Sequence, residues 1–219
     1  MSSSIMKQSV AEAVAEAIRK NIITHNYRPG QRLKENQVCA DLNVSHTPVR
    51  EAFRILQSEN LIKMIPYIGV EVVKFSLKDI RDLYGARRII ESNAAELAAQ
   101  NGTDEQMARL RIVSDELDAI PFEDFTMSNE AEERFHLHIA KMTDNQELEN
   151  ILTTMYRRTQ ILRTMVLSSK EGYEVFKAQH KSVADAIIAN EPEVARKRME
   201  EHFDTAIEYA LRFDLEHQS

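Results

Sequence analysis

The stretch ADLNVSHTPVREAFRILQSENLI, residues 40–62, decides the fold prediction because its proline stands where a polar loop becomes an amphipathic helix. Thr47 can cap the exposed amides of this helix, and Pro48 suits a first turn, where no hydrogen-bonded N–H is needed. Apolar side chains recur on one helix face. A second face carries three polar side chains, each four residues from the next: His46, Arg50 and Arg54.

The charge of the 219-residue chain is unevenly divided. The formal net charge is −7, but residues 1–75 hold ten Lys or Arg against seven Asp or Glu. Residues 76–219 hold eighteen against twenty-eight. A basic excess confined to the N-terminal third indicates an anionic partner there.

The composition is that of a soluble protein made of long helices. Hydrophobic residues make up 43% of the chain, glycine and proline are scarce, and tryptophan is absent. Cys39 is the only cysteine, so no intrachain disulfide can form and a reducing compartment is expected. The N-terminus lacks the apolar core of a signal peptide, and no stretch reaches membrane-spanning length. We therefore expect a cytoplasmic protein that does not span a membrane.

The elements around the proline predict a winged helix-turn-helix domain over residues 1–75. Apolar periodicity predicts helices at 7–24 and about 34–42. The helix that starts around Pro48 ends at Asn60, because asparagine tolerates the left-handed conformation. Two short strands complete the predicted domain, at residues 61–65 and 70–74.

This arrangement gives the two helical arginines two interpretations. They can form a solvated face that pairs with Glu51 or Glu59, as most surface arginines do. In a winged helix-turn-helix, however, the start of the last helix enters the major groove of DNA. The order of cap, turn and strands around Arg50 and Arg54 favours contact with DNA.

The N-terminal third resembles the GntR family of bacterial transcription regulators. The similarity runs from the first helix through PGQRLKENQVCADLNVSHTPVREAFRILQSENLIKMIPYIGVEV, and SHTPVREAFRIL is its most specific part. The resemblance implies that double-stranded operator DNA is the partner. It also implies that Arg50 contacts this DNA, with Ser45, His46 and Thr47 nearby. The full set of predicted DNA-binding residues is Arg50, Arg54, Ser45, His46, Thr47, Arg32 and Gly69.

Three positions depart from the pattern of that family. His46, Asn36 and Ile68 stand where the family commonly has arginine. Fewer phosphate contacts imply weaker binding or a different operator.

Residues 76–219 predict an all-α helical bundle, so the fold class of the whole chain is mainly α. Ser76 can cap the first helix, Asn101-Gly102 ends it, and Thr103 with Gln106 forms a capping box for the second. The six predicted helices lie at about 76–100, 103–120, 127–142, 146–168, 172–190 and 192–216.

Three histidines and one glutamate in this bundle are candidate metal ligands. Glu132 and His136 are four residues apart and share a helix face. His180 and His202 lie near the inward faces of the last two helices. A carboxylate and three imidazoles suit Zn²⁺, Ni²⁺ or Mn²⁺, but helical periodicity alone does not make them converge. For each histidine, a hydrogen-bonded core position or a solvated position is the alternative.

The same region resembles the FCD domain, the ligand-binding domain of the FadR subfamily of GntR regulators. The similarity rests on RRIIESNAAELAA, which begins at Arg87, and on ERFHLHIAKMTDN, which contains His136. The resemblance implies a divalent metal ion, with a small organic acid often bound beside it. The implied ligands are Glu132, where the family has aspartate, and His136, His180 and His202.

Arg87 also has two interpretations. It can pair with Glu91 four residues later, which at a surface contributes only tenths of a kcal/mol. From the resemblance, its guanidinium instead binds the carboxylate of the organic acid.

The leading hypothesis is a homodimeric transcription regulator of the FadR type that responds to a small carboxylate. A metal-responsive regulator, a purely structural metal and a metal-dependent enzyme are the alternatives. The enzyme is disfavoured because no zinc-hydrolase motif such as HExxH is present and no separate catalytic base is identifiable.

Overall fold

The structure is a computed structural model that describes residues 9–24, 26–66, 68–166 and 169–217. The chain divides into one compact unit that ends at Lys74 and a second that begins at Phe75. None of the helices within the described ranges is long and apolar enough to cross a bilayer. The described elements are α1 (Val10–Ile23), β1 (Arg32–Leu33), α2 (Glu35–Leu42), α3 (His46–Ser58), β2 (Ile62–Ile65), β3 (Gly69–Val72), α4 (Leu77–Asn101), α5 (Asp104–Asp118), α6 (Phe125–Met142), α7 (Gln146–Val166), α8 (Lys170–Ile188) and α9 (Pro192–His217).

The first unit is the predicted winged helix-turn-helix, with α1 packed against α3. The apolar faces of these two helices form its core. Ile18 and Ile22 of α1 are fully buried, as are Val49 and Leu56 of α3. This packing leaves the polar face of α3, which carries Arg50, exposed.

The sheet of this unit has three antiparallel strands in the order β1-β3-β2, one more than the predicted pair. Arg32 of β1 pairs with Glu71 of β3, and a strand of two residues is too short to show a period in the sequence. β2 and β3 form the wing hairpin, in which Ile65 lies opposite Gly69. Gly69 has a φ of +112°, a conformation that side chains with a Cβ rarely adopt.

The start of α3 corrects one detail of the prediction. Ser45, not Thr47, is the N-cap residue, because the backbone is still extended at Ser45 and is helical from His46 onward. Pro48 nevertheless lies in the first turn, where its missing N–H breaks no helical hydrogen bond. Asn60 follows the helix with a φ of +58°, as predicted for a left-handed terminus.

The second unit contains the six predicted helices, and this confirms the mainly α fold class. Two of its long helices, α4 and α9, pack together in antiparallel directions. Arg88 pairs with Asp204 at 2.8 Å, while Glu96, eight residues further along α4, pairs with Arg196, eight residues earlier in α9. The two helices therefore hold a defined register over at least two turns.

The helix termini follow the predicted capping residues except near Gly172. Ser76 caps α4, and Thr103 with Gln106 forms the capping box of α5. The helix predicted at 172–190 begins two residues earlier, at Lys170 after its cap Ser169, so Gly172 lies inside α8. A Cβ at Gly172 would lie 2.7 Å from the Tyr209 ring, so this glycine permits close packing of α8 on α9.

Candidate metal centre and nucleic-acid interface

Three histidines from three helices converge inside the helical unit. His136 lies on α6, His180 on α8 and His202 on α9, and all three are buried. One ring nitrogen of each lies within 4.8 Å of the other two, and the Nε2 atoms of His136 and His180 are 3.1 Å apart. Three imidazoles this close can bind one metal ion.

The surroundings keep these rings in the form that metals bind. Burial lowers the pKa of His180 and His202 well below the ordinary value, so both rings are neutral at pH 7. Within the described ranges, the buried Nδ1 atom of His202 has no hydrogen-bond partner. A buried polar atom without a partner is unfavourable, and a metal ion bound through this Nδ1 atom would relieve that condition.

Glu91 on α4 orients His136. Its Oε2 atom lies 2.6 Å from Nδ1 of His136, which leaves Nε2 of that ring facing His180. Burial raises the pKa of Glu91, but the positive charge of Arg87 and the contact with His136 outweigh it and hold the pKa below its usual value. A carboxylate behind a ligating imidazole is a common arrangement around bound metals. The four-residue spacing in the sequence predicts Glu91 only as a partner of Arg87.

Arg87 is buried beside the histidines, with 2% of its surface exposed. Its Nε donates to Oε1 of Glu91 at 2.7 Å, and its terminal nitrogens donate to the hydroxyls of Tyr156 and Thr159. The guanidinium carbon lies 4.0 Å from the centroid of the Tyr156 ring. The predicted pair with Glu91 therefore exists, but it is buried, and the premise of a surface pair was wrong.

Glu132 lies next to the histidines without joining them. Its carboxylate is not among the ligand atoms that lie within 4.8 Å of one another. It lies 3.8 Å from Nε of the buried Arg163 on α7. Burial raises the pKa of Glu132 to about 7, although the charges of Arg163 and Arg87 oppose the shift. The protonated form of this carboxyl group is therefore more populated at neutral pH than that of an exposed glutamate.

The pocket next to the histidines is very small. The pocket has a volume of about 10 Å³, which is roughly the room that one water molecule requires. It accommodates a single ion but not an organic acid. The lining includes Arg87, Glu132, His136, Arg163 and His202.

The second candidate site is the exposed surface of α3 in the N-terminal unit. Arg50 and Arg54 line a groove between this helix and the wing hairpin, and Arg32 and Gly69 line it from the sheet. Ser45, the N-cap, precedes His46 and Thr47 in the first turn. All seven predicted DNA-binding residues are exposed: Ser45, His46, Thr47, Arg50, Arg54, Arg32 and Gly69.

Glu35, which no sequence motif marks as part of this surface, contacts two of these residues. It begins α2, and its carboxylate accepts hydrogen bonds from Nε of Arg50 and Nδ1 of His46. In the chain, His46 follows Glu35 by eleven residues and Arg50 follows it by fifteen. No local helical spacing signals contacts of this kind, so only the packing of α2 against α3 reveals them.

Comparison with known proteins gives matches over both units. A family model described as "Bacterial regulatory proteins, gntR family" matches residues 10–72, and one described as "FCD domain" matches residues 82–205. The HTH-type transcriptional regulator YdhC of Bacillus subtilis is 23% identical over 88% of this chain and 87% of its own length. The gluconate operon transcriptional repressor of Bacillus licheniformis is 26% identical, over 91% of this chain and 84% of its own. A solved GntR protein from Rhodococcus sp. RHA1 superposes with a TM-score of 0.71 at 26% identity, covering 92% of this chain and 97% of that one.

Proposed function

The chain belongs to the GntR family of bacterial transcription regulators, in the group that carries an FCD domain, and from that premise we propose that a small carboxylate and a divalent metal ion control its affinity for operator DNA. As a family member it is a DNA-binding transcription regulator and not an enzyme.

The DNA contact is assigned to α3 and the wing. Arg50 and Arg54 contact base edges or phosphates in the major groove, with Ser45, His46 and Thr47 at the start of the helix. Arg32 and Gly69 contact the backbone beside them. This assignment is supported by the exposure of all seven residues and by the groove that four of them line: Arg32, Arg50, Arg54 and Gly69. A regulator of operator DNA acts in the cytoplasm.

The metal site is assigned to His136, His180 and His202. Glu132 is proposed as a fourth ligand because it lines the adjoining pocket, although its carboxylate must move toward the three ring nitrogens to bind the same ion. The observation that carries the proposal is the convergence of three buried imidazoles, two of which, His136 and His202, also line one small pocket. Their donor set fits Zn²⁺, Ni²⁺ or Mn²⁺. The metal supplies a positive charge and a coordination position for an anion. Glu91 holds the His136 ring in the orientation that binding requires.

Arg87 is assigned to the carboxylate of the effector. Its five N–H groups allow further donation beyond the three hydrogen bonds it makes to Glu91, Tyr156 and Thr159. One relative is named as the repressor of a gluconate operon, so gluconate, a small sugar acid, is the first effector to test. The effector changes DNA affinity only as far as it binds one conformation of the protein better than another.

A second candidate function is regulation by the metal alone. The volume of the pocket favours it, because about 10 Å³ accommodates an ion without rearrangement, whereas an organic acid needs the pocket to open. In this case metal removal, and not addition of a carboxylate, changes DNA affinity.

Metal analysis of histidine variants tests the site. After incubation with Zn²⁺, Ni²⁺ or Mn²⁺ and removal of free ions, we expect elemental analysis to find one ion per chain in the wild type. His180→Ala should lose the ion because one of the three imidazoles is gone. His138→Ala is the matched control, since His138 lies on the same helix as His136 but donates to the backbone oxygen of Gln106. Equal metal content in all three proteins would refute the site.

Operator affinity then separates the two functions. The probe is a duplex selected by the wild type from a random library, measured by fluorescence anisotropy with metal-free protein, with metal, and with metal plus gluconate or other small carboxylates. A change that requires the carboxylate supports the leading proposal. A change with metal alone supports the second, and equal affinities throughout would contradict both.

A further inference from the structure

Glu35 is a carboxylate inside a surface that should meet polyanionic DNA. Its Oε1 and Oε2 atoms lie 2.9 Å and 3.1 Å from Nε of Arg50, and Oε1 lies 2.6 Å from Nδ1 of His46. The hydrogen bond from Arg50 lowers the pKa of Glu35, so the group is ionised at neutral pH. A negative charge at this place repels phosphates and weakens binding to any DNA. We therefore expect Glu35 to have a role that offsets this loss of DNA affinity.

The contact with Glu35 uses only the Nε atom of the Arg50 guanidinium. Because Nε points at Glu35, the two terminal nitrogens extend past it, and within the described part of the chain neither has a protein partner. The side chain of Arg50 is 67% exposed, so its outer edge is open to a ligand. Two adjacent N–H donors in one plane match the O6 and N7 acceptors of guanine in the major groove.

The contact with His46 fixes the orientation of a second side chain. An ionised carboxylate only accepts hydrogen bonds, so Nδ1 of His46 carries the proton that it shares with Glu35. Nε2, on the far side of the ring, is then available for a contact outside the protein. One carboxylate on α2 thus holds two side chains of α3.

We propose that Glu35 is a positioning residue for operator recognition: it orients Arg50 and His46 so that both reach base edges in a defined geometry. This inference rests on the proposed contact between α3 and DNA. Orientation in advance reduces the loss of side-chain entropy when Arg50 binds, and it does so only for the base that its fixed geometry matches. Glu35 therefore increases selectivity while it lowers affinity for DNA in general.

A purely structural role makes a different prediction. Glu35 is the first residue of α2, where a carboxylate also interacts favourably with the helix dipole. Loss of that interaction lowers helix stability slightly and leaves base preference unchanged. A purely electrostatic role predicts that removal of the charge strengthens binding to every duplex.

The test compares wild type and Glu35→Gln on two probes: a duplex selected by the wild type from a random library, and the same duplex with its sequence scrambled. Affinity for the selected duplex should fall about tenfold, as expected for one disturbed base contact, while affinity for the scrambled duplex stays equal or rises. Glu35→Asp keeps the charge but shortens the reach, and it should also reduce the ratio of the two affinities. Circular dichroism checks that both variants fold.

Two further variants identify the cause. Glu51→Gln removes an exposed carboxylate next to Arg50 in α3, and it should strengthen binding to both duplexes alike. In an Arg50→Ala, His46→Ala background, which itself loses preference for the selected duplex, Glu35→Gln should change the ratio no further.

The outcomes separate the two proposals. If the wild type enriches a sequence but Glu35→Gln keeps the same affinity ratio, or gains on both duplexes as Glu51→Gln does, the positioning role is refuted and DNA recognition stands. If the wild type enriches no sequence, recognition of bases by α3 is refuted, and the role of Glu35 is refuted with it.

Discussion

Arg87 and Arg88 are adjacent on α4, yet their ion pairs lie in very different surroundings. Arg87 and its partner Glu91 are both almost fully buried, whereas Arg88 pairs with Asp204 across the surface to α9. Removal of one member of a buried pair leaves the other charge desolvated and unpaired. When an exposed pair loses one member, water solvates the remaining charge, so the free energy of unfolding changes little. Burial, which a four-residue spacing does not encode, decides the contribution of each arginine.

This contrast predicts unequal stability losses. Arg87→Met should lower the free energy of unfolding of the helical unit by about 3 kcal/mol or more, because Glu91 is left buried without its cation. Arg88→Met, the matched control one residue away, should lower it by less than about 1 kcal/mol. Urea unfolding followed by circular dichroism measures both. Similar losses for the two variants would show that Glu91 is not dependent on Arg87.

At the scale of elements, short-range hydrogen bonds define where the helices begin and end. In the capping box of α5, the Thr103 hydroxyl accepts from the Gln106 amide at 3.2 Å, and the Gln106 side chain accepts from the Thr103 amide at 2.9 Å. Left-handed residues end other helices, with φ values of +54° at Asp144 and +53° at Asn190. These interactions span four residues at most, so they can be predicted from the sequence.

The capping box of α5 offers a direct test at this scale. Thr103→Ala should reduce stability by about 1 kcal/mol, because the Gln106 amide at the start of the helix loses its acceptor. Thr103→Ser retains a hydroxyl and should remain within a few tenths of a kcal/mol of the wild type. Thermal unfolding measures both variants. A Thr103→Ser protein as unstable as Thr103→Ala would assign the effect to the lost methyl group instead.

At the scale of the whole molecule, the two units of the chain differ in both net charge and proposed function. The basic excess of the first 75 residues coincides with the unit that contains α3, and the acidic remainder contains the histidine pocket. If one α3 reads one half-site, a palindromic operator presents two sites about 34 Å apart, and we therefore propose that the regulator acts as a homodimer. A basic surface on each protomer and the symmetry of the operator then favour binding of both half-sites together.

The dimer makes a prediction about DNA spacing. Analytical ultracentrifugation should show two chains per selected duplex, and insertion of about 5 base pairs between the half-sites should sharply weaken binding, because half a turn puts them on opposite faces. Insertion of about 10 base pairs restores the face and is the matched control. One chain per duplex, or affinity that is indifferent to the insertion, would contradict the homodimer.

The candidate site shows how far prediction from the sequence extends. Glu132 and His136 could be placed on one helix face because they are four residues apart. Nothing local related them to His180 or His202, and the resemblance to a family supplied that link. The contacts of Glu91 with His136, of Arg163 with Glu132, and of Glu35 with Arg50 were not foreseen. Each joins residues on different helices.

The sequence by itself determined the elements of this protein: the helix starts and ends, the wing, the apolar faces and the uneven division of charge. These follow from hydrogen bonds and periodicities that act within a few residues. Only the tertiary structure decided which polar groups meet, which ion pair is buried and how small the histidine pocket is. These depend on how helices distant in the chain pack against one another, and buried apolar side chains from many positions in the chain contribute to that packing.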